Sequence, residues 1–140
     1  TGRNDFATFK VARDKDEIFF LAETVNPIII ENDQQWMRLY LNSDRDYSTG
    51  WNGYDLRING GKDLQRYSDG RWETIATVTV KTEGKRLMYS IPLSWLSAGK
   101  DGLNFEFKWS DNMQEEDPMD WYLNGDVAPE GRFNYVYKTK

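Results

Sequence analysis

The chain has no cysteine and no histidine. Without cysteine there is no disulfide, no zinc–thiolate site and no cysteine nucleophile. Without histidine the commonest general base and the commonest metal ligand are gone. Haem ligation loses its usual axial donor too, although Met37, Met88, Met113 and Met119 remain. Lys and Arg form no run beyond the single pair Lys85-Arg86, and the net charge is -5. This argues against nucleic acid as a partner, because a phosphate backbone needs clustered cations. No apolar run approaches the ~18 residues of a membrane span, so no membrane partner is expected. The opening Thr1-Gly-Arg-Asn carries no secretory leader, which reads as a processed or excised domain.

What is present is alternation. The 140 residues suit a single domain over 1–140. Period-two patterning predicts strands at about 6–13, 17–25, 36–42, 53–59, 63–67, 71–81, 85–92, 103–109 and 132–138. Gly, Asp and Asn separate them, and Ser68-Asp-Gly70 and Thr82-Glu-Gly84 read as hairpin turns. Pro92-Leu-Ser-Trp-Leu96 reads as a short helical turn. The expected class is all-β: an antiparallel two-sheet β-sandwich, jelly-roll-like, of about nine strands. Inner faces are expected at Met37, Leu39 and Leu41; Tyr54, Leu56 and Ile58; Leu87, Tyr89 and Ile91; Leu103, Phe105 and Phe107; Phe133, Tyr135 and Tyr137. The opposite faces, with Trp36, Arg38 and Tyr40, Asp55, Arg57 and Asn59, and Glu106 and Lys108, are polar but studded with rings.

Two segments carry possible chemistry. The turn Asp44-x-Asp46-x-Ser48 places hard oxygens at alternate positions, with Gly50 two residues on. Such spacing either holds calcium or caps a tight turn through Asx-type hydrogen bonds. The stretch 110–131 has no sustained alternation, seven acids and no Lys or Arg. Its acids could serve glycoside hydrolysis, but a solvated loop is the commoner use of such composition. Of the six tryptophans, Trp95 and Trp109 continue inward patterns, and Trp51 follows Gly50 at a corner over the sandwich end. Trp36, Trp72 and Trp121 are candidates either for stacking on a sugar or for structural packing.

The order of motifs resembles DOMON-like β-sandwich domains, specifically those similar to family 9 carbohydrate-binding modules. The carriers are Ala7-Thr-Phe-Lys-Val-Ala-Arg13 with Glu17-Ile-Phe-Phe-Leu-Ala-Glu-Thr24, then Trp36-Met-Arg-Leu-Tyr-Leu-Asn42 and the Asp-rich turn, then Gly53-Tyr-Asp-Leu-Arg-Ile-Asn59. Leu87-Met-Tyr-Ser-Ile-Pro-Leu-Ser-Trp-Leu96, Phe105-Glu-Phe-Lys-Trp-Ser-Asp-Asn112 and Gly131-Arg-Phe-Asn-Tyr-Val-Tyr137 complete it. The resemblance implies a non-catalytic module that attaches a larger secreted glycan-active enzyme to its polysaccharide. Sugar-binding members clamp the ligand between two rings. Here the first loop, Ile30 to Gln35, carries no ring before Trp36, whereas the C-terminal loop offers Trp121 and Tyr122. Arg57 stands where that family carries a sugar-binding arginine, and Lys108 at an amide-type position near the site.

The expected carbohydrate contacts are thus Trp36, Arg57, Lys108, Trp121 and Tyr122, with Asp44, Asp46 and Ser48 for calcium. The expected partners are an oligosaccharide or polysaccharide and a neighbouring catalytic domain, the chain itself being a monomer. The expected location is secreted, periplasmic or cell-surface. The alternatives are a ligand-free accessory domain packed on a catalytic domain and, least favoured, a hydrolase using the 110–131 acids.

Overall fold

A computed structural model of the chain describes residues 6–29, 36–96, 103–111, 126–129 and 134–138. Within them the chain forms β1 (Phe6–Arg13), β2 (Glu17–Thr24), β3 (Arg38–Asn42), β4 (Leu56–Asn59), β5 (Asp63–Ser68) and β6 (Arg71–Thr77). It continues with β7 (Thr79–Glu83), β8 (Arg86–Pro92), a 3-10 turn at Leu93–Leu96, β9 (Asn104–Asp111), β10 (Asp126–Ala128) and β11 (Tyr135–Lys138). A four-stranded sheet runs β1-β2-β8-β7. A seven-stranded sheet runs β10-β9-β3-β4-β5-β6, with β11 also paired to β9. All pairings are antiparallel, so the expected two-sheet sandwich is the fold.

Most of the expected inner-face residues make the core, and β2 adds a face that was not among them. Ile18, Phe20 and Ala22 of β2 and Leu87, Tyr89 and Ile91 of β8 meet Leu39, Leu41, Leu56, Ile58, Phe105, Phe107 and Trp109 of the larger sheet. Phe20 packs edge-on against Phe105 and Phe107 at 5.8 and 5.5 Å, and Tyr89 stacks on Trp109 at 5.6 Å. Each such side chain contributes about 1.5–3 kcal/mol through burial, so a few of them hold the sheets together.

Local chemistry sets the connections. Asp69 and Gly70 both take positive φ, 53° and 79°, which gives the β5–β6 hairpin the twist its strands require. Asp14 caps the β1–β2 turn by accepting from the backbone N–H of Asp16 and Glu17, both at 2.8 Å. Those bonds, with a smaller contribution from Lys15, hold its carboxyl below the usual range despite a slight opposing effect of burial.

Four expectations need correction. The segment 71–81 is not one strand. It breaks at buried Val78, so β6 stays in the larger sheet while β7 joins the smaller one. The irregular stretch 110–131 contains a strand, β10, which pairs with Trp109 to Asp111. Only three residues long, β10 is too short for its alternation to show. The strand expected at 36–42 begins at Arg38, and Tyr54 leaves the inner face; both follow from corners described below. Phe133 lies outside the described residues.

Candidate functional site

The second face of the seven-stranded sheet gathers most of the buried polar side chains among the described residues. Strand alternation that sends Leu39, Leu41, Leu56, Ile58, Phe107 and Trp109 inward sends their neighbours to the other side. Cross-strand register sets Lys108 beside Tyr40, Tyr40 beside Arg57 and Arg57 beside Gln65. On one side of that row, Ser110 faces Arg38, whose Nε donates to Asn59 Oδ1 at 2.7 Å. On the other, Glu106 faces Asn42.

This polar face is closed from solvent. Arg38, Asn42, Lys108 and Ser110 are 0 % exposed, Glu106 is 3 % and Arg57 5 %. Part of the cover is the segment 43–55, folded back as a strap. Trp51 and Tyr54 exchange both backbone hydrogen bonds, at 2.8 and 2.9 Å, around Asn52 and Gly53 with φ of 51° and 93°. This is a two-residue hairpin turn of the kind Asn-Gly favours. It swings Tyr54 away from the core, so that Trp51 and Tyr54 both pack on Tyr40. Trp51 lies nearly flat on Tyr40, at 5.4 Å and 20°.

Glu106 ties the strap down. Its carboxylate accepts from Tyr47 Oη, from Asn134 Nδ2 at 2.9 Å, and pairs with Arg45 Nε at 2.7 Å. Burial alone would raise its pKa, but the Tyr47 and Asn134 hydrogen bonds and the Arg45 charge outweigh that and hold it low. Tyr54 Oη donates to Asn134 Oδ1 at 2.6 Å, joining the strap to the start of β11.

At the far end of the face Trp72 of β6 stands at 59° to Trp51, with centroids 6.3 Å apart. The Arg57 guanidinium lies 4.5 Å from the Trp72 ring centroid, within cation–π range. Arg57 Nε also donates to Gln65 Oε1 at 2.8 Å, so its plane is held from two sides. The Trp72 indole N–H and both side-chain polar atoms of Asn42 are buried without a hydrogen-bond partner. Burial of Lys108 lowers its pKa to about 8.

The expected site residues fare differently. Arg57 and Lys108 share this face, though buried. Trp36 does not: it is a core residue, 5 % exposed, with its indole N–H bound to the Ile29 carbonyl at 2.7 Å. Met37 adopts φ 44°, and this left-handed residue resets the alternation, so Trp36 and Met37 both turn inward. The corner is held by Asp111, which accepts from Met37 N at 2.9 Å, and by Tyr89, whose hydroxyl donates to Met37 O at 2.8 Å. Asp111, counted among the loop acids, is thus a buried structural group. Trp121 and Tyr122 lie outside the described residues. The exposed turn forms the Asx-type pattern: Asp44 Oδ1 accepts from Asp46 N and Asp46 Oδ1 from Ser48 N, both at 2.9 Å. Hydrogen bonds from the Ser48 hydroxyl and N–H hold the Asp46 carboxyl below its usual range. Among the described residues no group of three or more acids is placed to hold a metal ion.

Sequence reasoning placed Trp51 at the sandwich end, and missed Tyr54, Asn42 and the strap. Asn52-Gly53 was the available signal, a hairpin dipeptide inside what read as one loop and strand. Comparison of the chain with protein-family models, curated proteins and solved structures finds no match.

Proposed function

We propose that the chain is a non-catalytic carbohydrate-binding module of a secreted, periplasmic or cell-surface glycan-active protein. The observation that carries this reading is the corner of half-buried indoles, Trp51 and Trp72, centred 6.3 Å apart and braced by Arg57. An indole face accepts the C–H face of a pyranose, and two rings set at an angle define its orientation. Arg57 and Lys108, expected as direct donors, are buried and act in this reading by fixing Trp72 and Tyr40 beneath the sugar. Trp121 and Tyr122 add the second platform that the resemblance implies, and the 44–50 turn takes calcium weakly.

The accessory-domain reading has its own observation: Trp36 and Trp109 are 5 % and 0 % exposed, and Arg57 and Lys108 are equally closed. Calorimetry against cello-, xylo-, manno- and galacto-oligosaccharides separates the two. The expected Kd is about 0.1–1 mM, worth about 4–5.5 kcal/mol, because each sugar hydroxyl must first leave water. Trp72→Ala and Trp121→Ala are each expected to abolish binding while the circular dichroism spectrum is kept. If no sugar binds at millimolar concentration, the accessory role replaces the binding one.

A further inference from the structure

A separate feature lies between the two sheets on the opposite edge. A groove of 510 Å³ opens between β1 and β11, lined by Thr8, Phe9, Val11, Phe107, Tyr135 and Val136 among others. Among the described residues β1 ends the four-stranded sheet, and β11 pairs with β9 alone. Among the described residues, β1 from Ala7 onward and β11 each border the groove as a sheet edge with no strand beside it. The floor is aromatic: Phe9 and Tyr135 have centroids 5.3 Å apart. Val136 on the rim is 56 % exposed.

We infer that this groove accepts an extended acidic segment of a partner protein, added as a β-strand. Three observations select that occupant. Unpaired edge backbones are completed by another backbone in strand geometry, whose amides recur at the strand's own spacing. Phe9 and Val136 offer apolar contact to alternate side chains of such a strand. The charge is also reversed locally. β1 (FATFKVAR) and β11 (YVYK) carry Lys10, Arg13 and Lys138 and no acid, in a chain of net charge -5. Like charges across the same edge oppose a second copy of this chain, so the cations guard against self-pairing and favour an acidic partner strand.

The test uses a fluorescein-labelled peptide, Glu-Val-Glu-Phe-Glu-Val-Glu-Thr, and its counterpart with Lys for every Glu. Anisotropy is expected to give a Kd on the order of 10–100 μM for the acidic peptide and at least about ten-fold weaker binding for the basic one. Hydrogen exchange should slow at amides of β1 and β11 on binding. Val136→Glu and Lys10→Glu are each expected to weaken binding at least about ten-fold. Trp72→Ala should leave it unchanged, so loss of the sugar reading does not touch this one. Equal affinity for both peptides, protection at β7 instead, or indifference to both groove variants would overturn the inference. So would tetragalacturonate displacing the peptide, which would reassign the groove to an acidic glycan.

Discussion

Met37 shows how much one residue decides. Its left-handed φ of 44° carries Trp36 across the sheet and removes it from the polar face. A non-glycine residue in that region is strained, and here Asp111 and Tyr89 hold it from both ends of its peptide units. The displaced Trp36 ring then needs a floor with no side chain. Gly61 provides it, at φ 73°, where an added Cβ would stand 2.5 Å from Trp36 Cζ3. Gly61→Ala is therefore expected to destabilise the fold by about 2–4 kcal/mol, combining overpacking with left-handed backbone strain. Urea unfolding should show a lower midpoint at unchanged slope; an unaltered midpoint would mean that the ring moves freely.

Among the elements, the strap over 43–55 has no long strand of its own, yet it is tied at both ends and in the middle. Ser43 N donates to Asp55 Oδ1 at 2.6 Å where the strap leaves and rejoins the sheet, and Glu106 holds Arg45 and Tyr47 between. Within it, the turn at Asp44, Asp46 and Ser48 closes through its own backbone donors. Thr49 Oγ1 adds a bond to Asp44 Oδ2 at 2.8 Å. An ion must displace some of these contacts, so calcium ligation there is proposed to be weak. At a calcium concentration equal to Kd the gain is only about 0.4 kcal/mol, a melting shift of about 1–3 °C. Melts in millimolar calcium and in chelator measure it, and Asp46→Ala should erase the difference. Equal midpoints for the unaltered protein would assign the turn to hydrogen bonding alone.

At the scale of the whole molecule, the sandwich has two interiors: an apolar one between the sheets and a polar one on the outer face of the larger sheet, covered in part by the strap. The second has a pH signature. Lys108 has a pKa lowered from 10.5 to about 8 by burial. The unfolded chain therefore binds the extra proton between these values, and stability rises with pH there. The cost of burying the charge is fully present below pH 8 and is relieved above it. The tyrosines act in the opposite sense. Burial raises the pKa of Tyr54 and Tyr89, so the unfolded chain ionises first and stability falls above about pH 10. Unfolding free energy is thus expected to climb by about 1–2 kcal/mol from pH 7.5 to 9.5, and Lys108→Met should flatten the climb. A flat profile in the unaltered protein would show that Lys108 is solvated.

The all-β class, most strand positions and the main inner faces were legible along the chain. These depend on period-two alternation and on turn residues such as Asp69-Gly70, which act between near neighbours. The site depends on contacts that alternation does not encode. Asp111 holds the corner at Met37 from 74 residues away, and with that corner Trp36 changes face. Glu106 binds Tyr47 across 59 residues, and the strap then lays Trp51 and Tyr54 on Tyr40, which stands between Arg57 and Lys108 in the register. Read locally, Arg57 and Lys108 look like part of an exposed polar face, and alternation does put them on that face; their burial comes from long-range cover that no near-neighbour pattern records, whereas Trp36 leaves the face because the left-handed Met37 resets the parity.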